Sequence, residues 1–210
     1  MEILIVGNAA QLEEIRKKFG TKDRYRLEPK RIARPAEIEM VFDFLNDGGS
    51  DVSIYNNYGC VVFLNSVLTT LNKLKVDGFR GSIFGFCGLP TFVDRPVFEV
   101  TLAKEDNNEF LLSTCARLGT EYCVVADKVG MVTPRVICMI INEAYYTEEE
   151  GTATREDIDK AMKLGTNYPY GPFEWCERIG RQNVCELLNA VLVDTGDDRY
   201  TISRKLLSTE

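Results

Sequence analysis

A chain of 210 residues, 45% hydrophobic and 27% charged, has the make-up of a globular protein with one full core or two small ones. Its net charge of −7 argues against a nucleic-acid surface, and the absence of histidine removes the commonest proton shuttle and metal ligand. Without histidine no Ser-His or Cys-His nucleophilic pair can form. The seven cysteines contain no C-x-x-C and sit mostly in apolar runs. They read as reduced, buried small hydrophobes of a cytoplasmic protein, with no metal site. MEILIVG is too acidic and too short for a leader peptide, and no apolar run reaches membrane-spanning length.

Glu2 to Val6 is a short apolar run closed by Gly7, and it predicts a buried first strand. Asn8 can cap a helix over Ala9 to Phe19, with Leu12, Ile15 and Phe19 on one face and Arg16, Lys17 and Lys18 at the dipole-favoured end. This is a strand-helix opening of the dinucleotide-binding kind. The fingerprint G-x-G-x-x-G needs glycine to turn, to admit the pyrophosphate and to let helix and strand pack. Only Gly7 is present; Ala9 and Leu12 stand at the other two positions. Gly7 is therefore a weak cofactor-binding candidate, and a structural turn is favoured. Tyr25 to Glu28 predicts a second strand, with Glu28 a weak ribose partner. Pro35 to Asn46 suits helix or strand. Asp51 to Tyr55 and Gly59 to Asn65 read as strands. Asn65 or Ser66 could cap a helix that follows. Helices are expected over Glu105 to Leu118, Pro134 to Thr147, Arg155 to Leu164 and Asn183 to Val193, with a strand over Glu121 to Ala126.

Asp127 to Gly180 holds the most specific pattern. It contains Asp127/Gly130/Arg135, Glu143-Ala144, Glu149/Gly151/Ala153/Asp157-Ile158-Asp159/Ala161/Gly165 and Pro169/Gly171-Pro172-Phe173-Glu174/Gly180. In register, these residues resemble the start of the C-terminal domain of the 3-hydroxyacyl-CoA dehydrogenases. The resemblance covers nearly the whole chain, weakly before residue 82. It implies an α/β Rossmann-like N-terminal domain, reduced in size, over 1–127. An all-α C-terminal dehydrogenase domain would follow over 128–210. Pro169 to Phe173 is expected to be a structural turn.

The resemblance also locates the reacting centre. The family's catalytic histidine falls on Cys87, its orienting glutamate on Glu99, and its helix asparagine on Pro134. Only the glutamate survives, and a carboxylate with no imidazole to orient is not a catalytic dyad. Buried, Glu99 could serve as an acid or base itself; the plainer reading is a pair with Arg95 or Arg135. Cys87 would need a cationic neighbour, Arg80 or Arg95, to act as a thiolate. Asn65 and Ser66 fall at the family's substrate-contacting stretch.

The resemblance thus implies a 3-hydroxyacyl-CoA dehydrogenase-like protein of fatty-acid and acyl-CoA metabolism. Its hydride transfer is expected to be impaired, and an acyl-CoA-like ligand could be retained in the interdomain cleft. NAD is implied as cofactor by the family alone. A structural or regulatory homodimer without small-molecule chemistry is the alternative. An active NAD-dependent oxidoreductase using Glu99 ranks third. The helix from Pro134 is apolar nearly all round, so a second copy is the expected cover, and the related enzymes pair through this domain. No nucleic acid or membrane partner is expected.

Overall fold

The computed structural model describes the chain apart from residues 22, 33–36, 46–51, 58, 75–80, 104–107 and 209–210. It divides into two compact units, Met1–Met131 and Val132–Glu210.

The first unit is a seven-stranded sheet in the order β2-β1-β3-β4-β5-β6-β7. The strands are β1 (Glu2–Val6), β2 (Arg24–Glu28), β3 (Met40–Asp43), β4 (Val61–Asn65), β5 (Ser82–Phe86), β6 (Val97–Leu102) and β7 (Glu121–Val125). Pairing is parallel throughout except between β5 and β6. The central strands are buried on both faces, which explains their unbroken apolar runs. Helices α1 (Ala9–Phe19) and α2 (Asn108–Leu118) share one core with Ile3, Ile5, Phe42 and Phe63, so both cover the same face. Phe42 stacks on Phe63 at 4.8 Å, and Phe98 meets Phe63 edge-on at 5.6 Å. Pairs of this kind are each worth about 0.5–1.5 kcal/mol beyond their burial.

Two sequence expectations are corrected. Of the expected strand Asp51 to Tyr55, residue 51 lies outside the described residues and 52–55 are not strand: Val52–Asn57 is a 3-10 helix, whose three-residue period buries Val52 and Tyr55 on one side. Residues 67–74, which follow Ser66, are turns and irregular chain and not a helix. The Asp127 carboxylate accepts the amides of Leu71 (3.0 Å) and Asn72 (3.1 Å), and the chain turns there instead. Of the ambiguous Pro35 to Asn46, residues 40–43 are strand, while 35, 36 and 46 lie outside the described residues.

The second unit is helical: α3 (Thr133–Glu149), α4 (Arg155–Gly165), α5 (Pro172–Ile179), α6 (Arg181–Thr195) and α7 (Arg204–Leu207). Proline inside the first turn starts both α3 and α5. Pro169 to Phe173 is thus not only a turn: it runs into α5. Thr154 caps α4 by accepting the Asp157 amide at 3.2 Å. Buried Asn142 binds the C-terminal segment to α3, donating to Thr201 O at 2.8 Å and accepting from the Ser203 amide at 2.9 Å.

The joint between α4 and α5 explains the Pro/Gly/aromatic stretch. The Asp159 carboxylate accepts the Phe173 (2.9 Å) and Glu174 (3.2 Å) amides at the start of α5. Glu174 in turn accepts the Gly171 amide at 3.0 Å and pairs with Lys163. A side chain at Gly171 would run into the Asp159 carboxylate, so glycine is needed for the close approach. The family-like residues Asp159, Gly171 and Glu174 therefore work as one clasp.

Candidate functional site

β2 and β3 lie on opposite sides of β1, so the strand order reverses there. Ligands of open α/β sheets bind outside the carboxyl ends of the strands at such a point. Here the first turn of α1 is used by its own side chains. Asn8 Oδ1 accepts the Gln11 amide at 3.1 Å, and Gln11 Oε1 accepts the Asn8 amide at 2.9 Å. The place a Gly7 side chain would take is filled by Gln11. With Ala9 and Leu12 at the other glycine positions, this turn does not fit a dinucleotide pyrophosphate.

At the end of β3, Asp43 is fully buried. It accepts from Arg31 Nε at 2.6 Å, from Tyr55 Oη at 2.9 Å and from the Leu45 amide at 2.9 Å. Burial pushes its carboxyl above the usual range, and the Arg31 guanidinium pulls it back. This triad ties the segment after β2 and the 3-10 helix to the sheet. Sequence reasoning passed over it, although an aspartate inside the apolar run MVFDFL was a legible sign of a paired buried charge.

Of the three positions that the resemblance aligns with the reacting centre, Cys87 and Glu99 come together at the carboxyl end of β5. Phe86 pairs with Val100 across the antiparallel β5–β6 ladder, so Cys87 and Glu99 are next in register. Cys87 is 5% exposed, and Glu99 is half-buried. The half-buried Arg95 guanidinium reaches Cys87, Glu99 and Glu14 electrostatically; burial lowers its pKa and those three groups pull it up. Arg95 is thus the cation beside Cys87, and Arg80 lies outside the described residues. Pro134 belongs to the second unit, buried in the first turn of α3, where it offers no side-chain donor.

Asn65 and Ser66 face inward. Asn65 donates to Phe44 O at 3.2 Å and accepts the Gly88 amide at 2.9 Å, stapling the ends of β3, β4 and β5. Ser66 is 1% exposed. Its hydroxyl and that of Thr101 crowd the spot a Gly85 side chain would occupy, and among the described atoms neither has a hydrogen-bond partner. Asn65 thus holds the strand ends, and Ser66 is packed beside β5.

Glu14, on α1, was not singled out by sequence. It holds the β5–β6 loop by accepting the amides of Val93 (3.1 Å) and Asp94 (3.4 Å). Lys18 bonds the Arg95 carbonyl, and Lys17 pairs with Asp94. Burial raises the Glu14 pKa and Asp94 adds to the rise, while the loop amides and the Arg95 charge favour the ionised form. A carboxyl raised in the folded state gives stability that is present below its ordinary value of 4.5 and is lost as pH rises through the folded value. Glu14→Gln is therefore expected to gain melting temperature on the wild type between pH 4 and pH 7. A constant gap across that range would refute this.

Among the described residues no group of His, Cys, Asp or Glu can hold a metal ion, and no helix is long and apolar enough to cross a membrane. No two cysteines are bonded.

Residues 130–209 match the family model described as 3-hydroxyacyl-CoA dehydrogenase, C-terminal domain. The chain is 45% identical over 76 residues to the 3-hydroxyadipyl-CoA dehydrogenase of Escherichia coli, which is 36% of this chain and 16% of that protein. It is 39% identical over 77 residues to the 3-hydroxybutyryl-CoA dehydrogenase of Clostridioides difficile, 37% of this chain and 27% of that one. The chain thus spans under a third of these two relatives. The solved (S)-3-hydroxybutyryl-CoA dehydrogenase PaaH1 of Ralstonia eutropha shares the fold at TM-score 0.75 and 16% identity, covering 98% of this chain and 92% of that one. FadB2 of M. tuberculosis does so at TM-score 0.79 and 14% identity, covering 98% and 91%.

Proposed function

We propose that the chain is a member of the 3-hydroxyacyl-CoA dehydrogenase family, whose C-terminal-domain model matches residues 130–209, and that it is a dehydrogenase-like protein without ordinary hydride-transfer activity. The supporting observation is the Cys87, Glu99 and Arg95 cluster at the carboxyl end of β5. A dehydrogenase of this kind needs a group that takes the hydroxyl proton as hydride leaves. A guanidinium stays protonated and cannot take it. Glu99 beside that cation is held as a partner to charge, and the thiol of Cys87 is buried. The capped first turn of α1 leaves the pyrophosphate of NAD without its usual amides.

In this reading the protein works in the cytoplasm as a homodimer built on the helical unit, and keeps affinity for an acyl-CoA-like thioester. Purified protein mixed with NADH and acetoacetyl-CoA is expected to oxidise no NADH between pH 6 and 9. Thioester alone is expected to raise the melting temperature, since a ligand specific for the folded state must do so once well above its dissociation constant. Turnover would sink the proposal and restore Glu99 as a base. A transition unmoved by either ligand would leave the structural or regulatory homodimer.

A further inference from the structure

The sheet of the first unit ends on β2, whose one described neighbour is β1. The dinucleotide fold places its third strand outside the second. Here the third strand lies on the far side of β1, and β2 is left as an edge. The Arg24 amide donates to the Met1 carbonyl at 3.0 Å, and the Glu28 carbonyl accepts the Gly7 amide at 2.8 Å. The N–H and C=O of a strand residue point the same way, so Arg24, Arg26 and Glu28 turn theirs to β1. Tyr25 and Leu27 turn theirs outward, and among the described residues nothing bonds those backbone groups.

The side chains of the edge divide by face. Tyr25 packs on the core that α1 covers, and its Oη donates to the Gly20 carbonyl at 2.8 Å. Leu27 shares that face and is 36% exposed. Arg24 and Arg26 stand exposed on the other face, about 7 Å apart. Arg26 pairs with Glu28 at 2.9 Å, and among the described residues Arg24 pairs with no carboxylate. A cleft of about 840 Å³ at the start of the strand adds Arg16 and Lys17. Of its two carboxylates, Glu13 is paired with Arg16 and Asp23 with the Met1 amino group, each at 2.7 Å. Residues 16–31 hold eight Lys or Arg against two acids, in a chain of net charge −7.

These faces decide the occupant. The outward groups of Tyr25 and Leu27 suit any extended backbone. The Leu27 face asks for apolar side chains and the Arg24 face for carboxylates, and along a strand the two faces alternate. A second copy of β2 does not fit. Antiparallel pairing centred on Tyr25 sets Arg24 against Arg26, and centred on Arg26 it sets Arg26 against itself. Centred on Leu27 it sets Arg24 against Lys30, and like charges directly opposite are destabilising.

We infer that β2 is a docking edge for an extended segment of a partner protein, one that alternates acidic and apolar residues and adds a strand outside β2. The test is fluorescence anisotropy of a short labelled peptide alternating valine and glutamate, and of its valine-lysine counterpart, with the full chain. The glutamate peptide is expected to bind with a Kd of roughly 100 μM, at least about tenfold more tightly than the lysine one. Leu27→Pro removes an outward N–H and no bond to β1, as an edge strand tolerates, and is expected to weaken the glutamate peptide about tenfold or more. Arg24→Glu is expected to reverse the preference between the two peptides. Arg24 is exposed, so its reversal reads the charge even where Leu27→Pro disturbs the strand. Equal binding of the two peptides, an unchanged affinity in Leu27→Pro, or no binding of either up to about 1 mM would overturn the proposal. A wild-type oligomer that Leu27→Pro dissociates would overturn it by giving the edge to a second copy. Binding of oligothymidylate that is lost in Arg24→Glu and kept in Leu27→Pro would overturn it by giving the cations to a polyanion.

Discussion

Replacing Asp43 by alanine is expected to destabilise the first unit by about 3–5 kcal/mol, the cost of removing one partner from a buried ion pair. Arg31 and Tyr55 would each lose the carboxylate they donate to, and the Leu45 amide would lose its acceptor. In a protein of this size the loss corresponds to a drop of roughly 10 °C or more in melting temperature. Tyr55→Phe is the milder companion: it removes one of three bonds and should cost about 1 kcal/mol. Asp43→Asn should fall between them, keeping the shape but losing the charge that faces Arg31. Equal melting of Asp43→Ala and wild type would mean that the triad does not tie the loops to the sheet.

The second large effect is expected at Gly171. Its backbone φ of −71° suits any residue, so the penalty for Gly171→Ala is steric alone. The added methyl runs into the Asp159 carboxylate, which caps the first turn of α5. Overpacking and partial loss of the cap together should cost about 2–4 kcal/mol. The double variant Gly171→Ala, Asp159→Ala separates this cause from a general intolerance of the site. Without the carboxylate the methyl has room, so the double change should cost less than the sum of the single ones. Additive losses, measured by urea unfolding, would show that the two residues do not share a joint.

Much of the frame was legible in residue order. Val, Ile and Phe runs of four to six residues marked the buried strands, because a strand covered on both faces has no polar side to show. Asn8, Thr154 and the glycines and prolines at helix ends marked where helices start and stop, because those ends have backbone groups that only a few residue types satisfy. The failures have specific physical causes. Val52 and Tyr55 are apolar at a spacing of three, which a short window cannot tell from the spacing of a strand. Ser66 looked like a helix cap, but the carboxylate of Asp127, 56 residues from Leu71, takes the amides that decide the turn. The Phe44 carbonyl and Gly88 amide that Asn65 bonds are likewise distant in sequence.

The sequence by itself determined the family signature, the two-part α/β and α architecture, and the absence of an imidazole at the aligned catalytic position. Each of these depends on residue type and spacing alone. Only the tertiary structure decided that Cys87 and Glu99 are neighbours with Arg95 in reach, that Glu14 holds their loop, and that Asn8 and Gln11 use the amides a phosphate would need. Those facts are set by strand register and side-chain direction. Hydrogen bonds and charges act over a few ångströms of space, and the chain path that brings distant residues within that range is fixed only when the sheet and helices have packed.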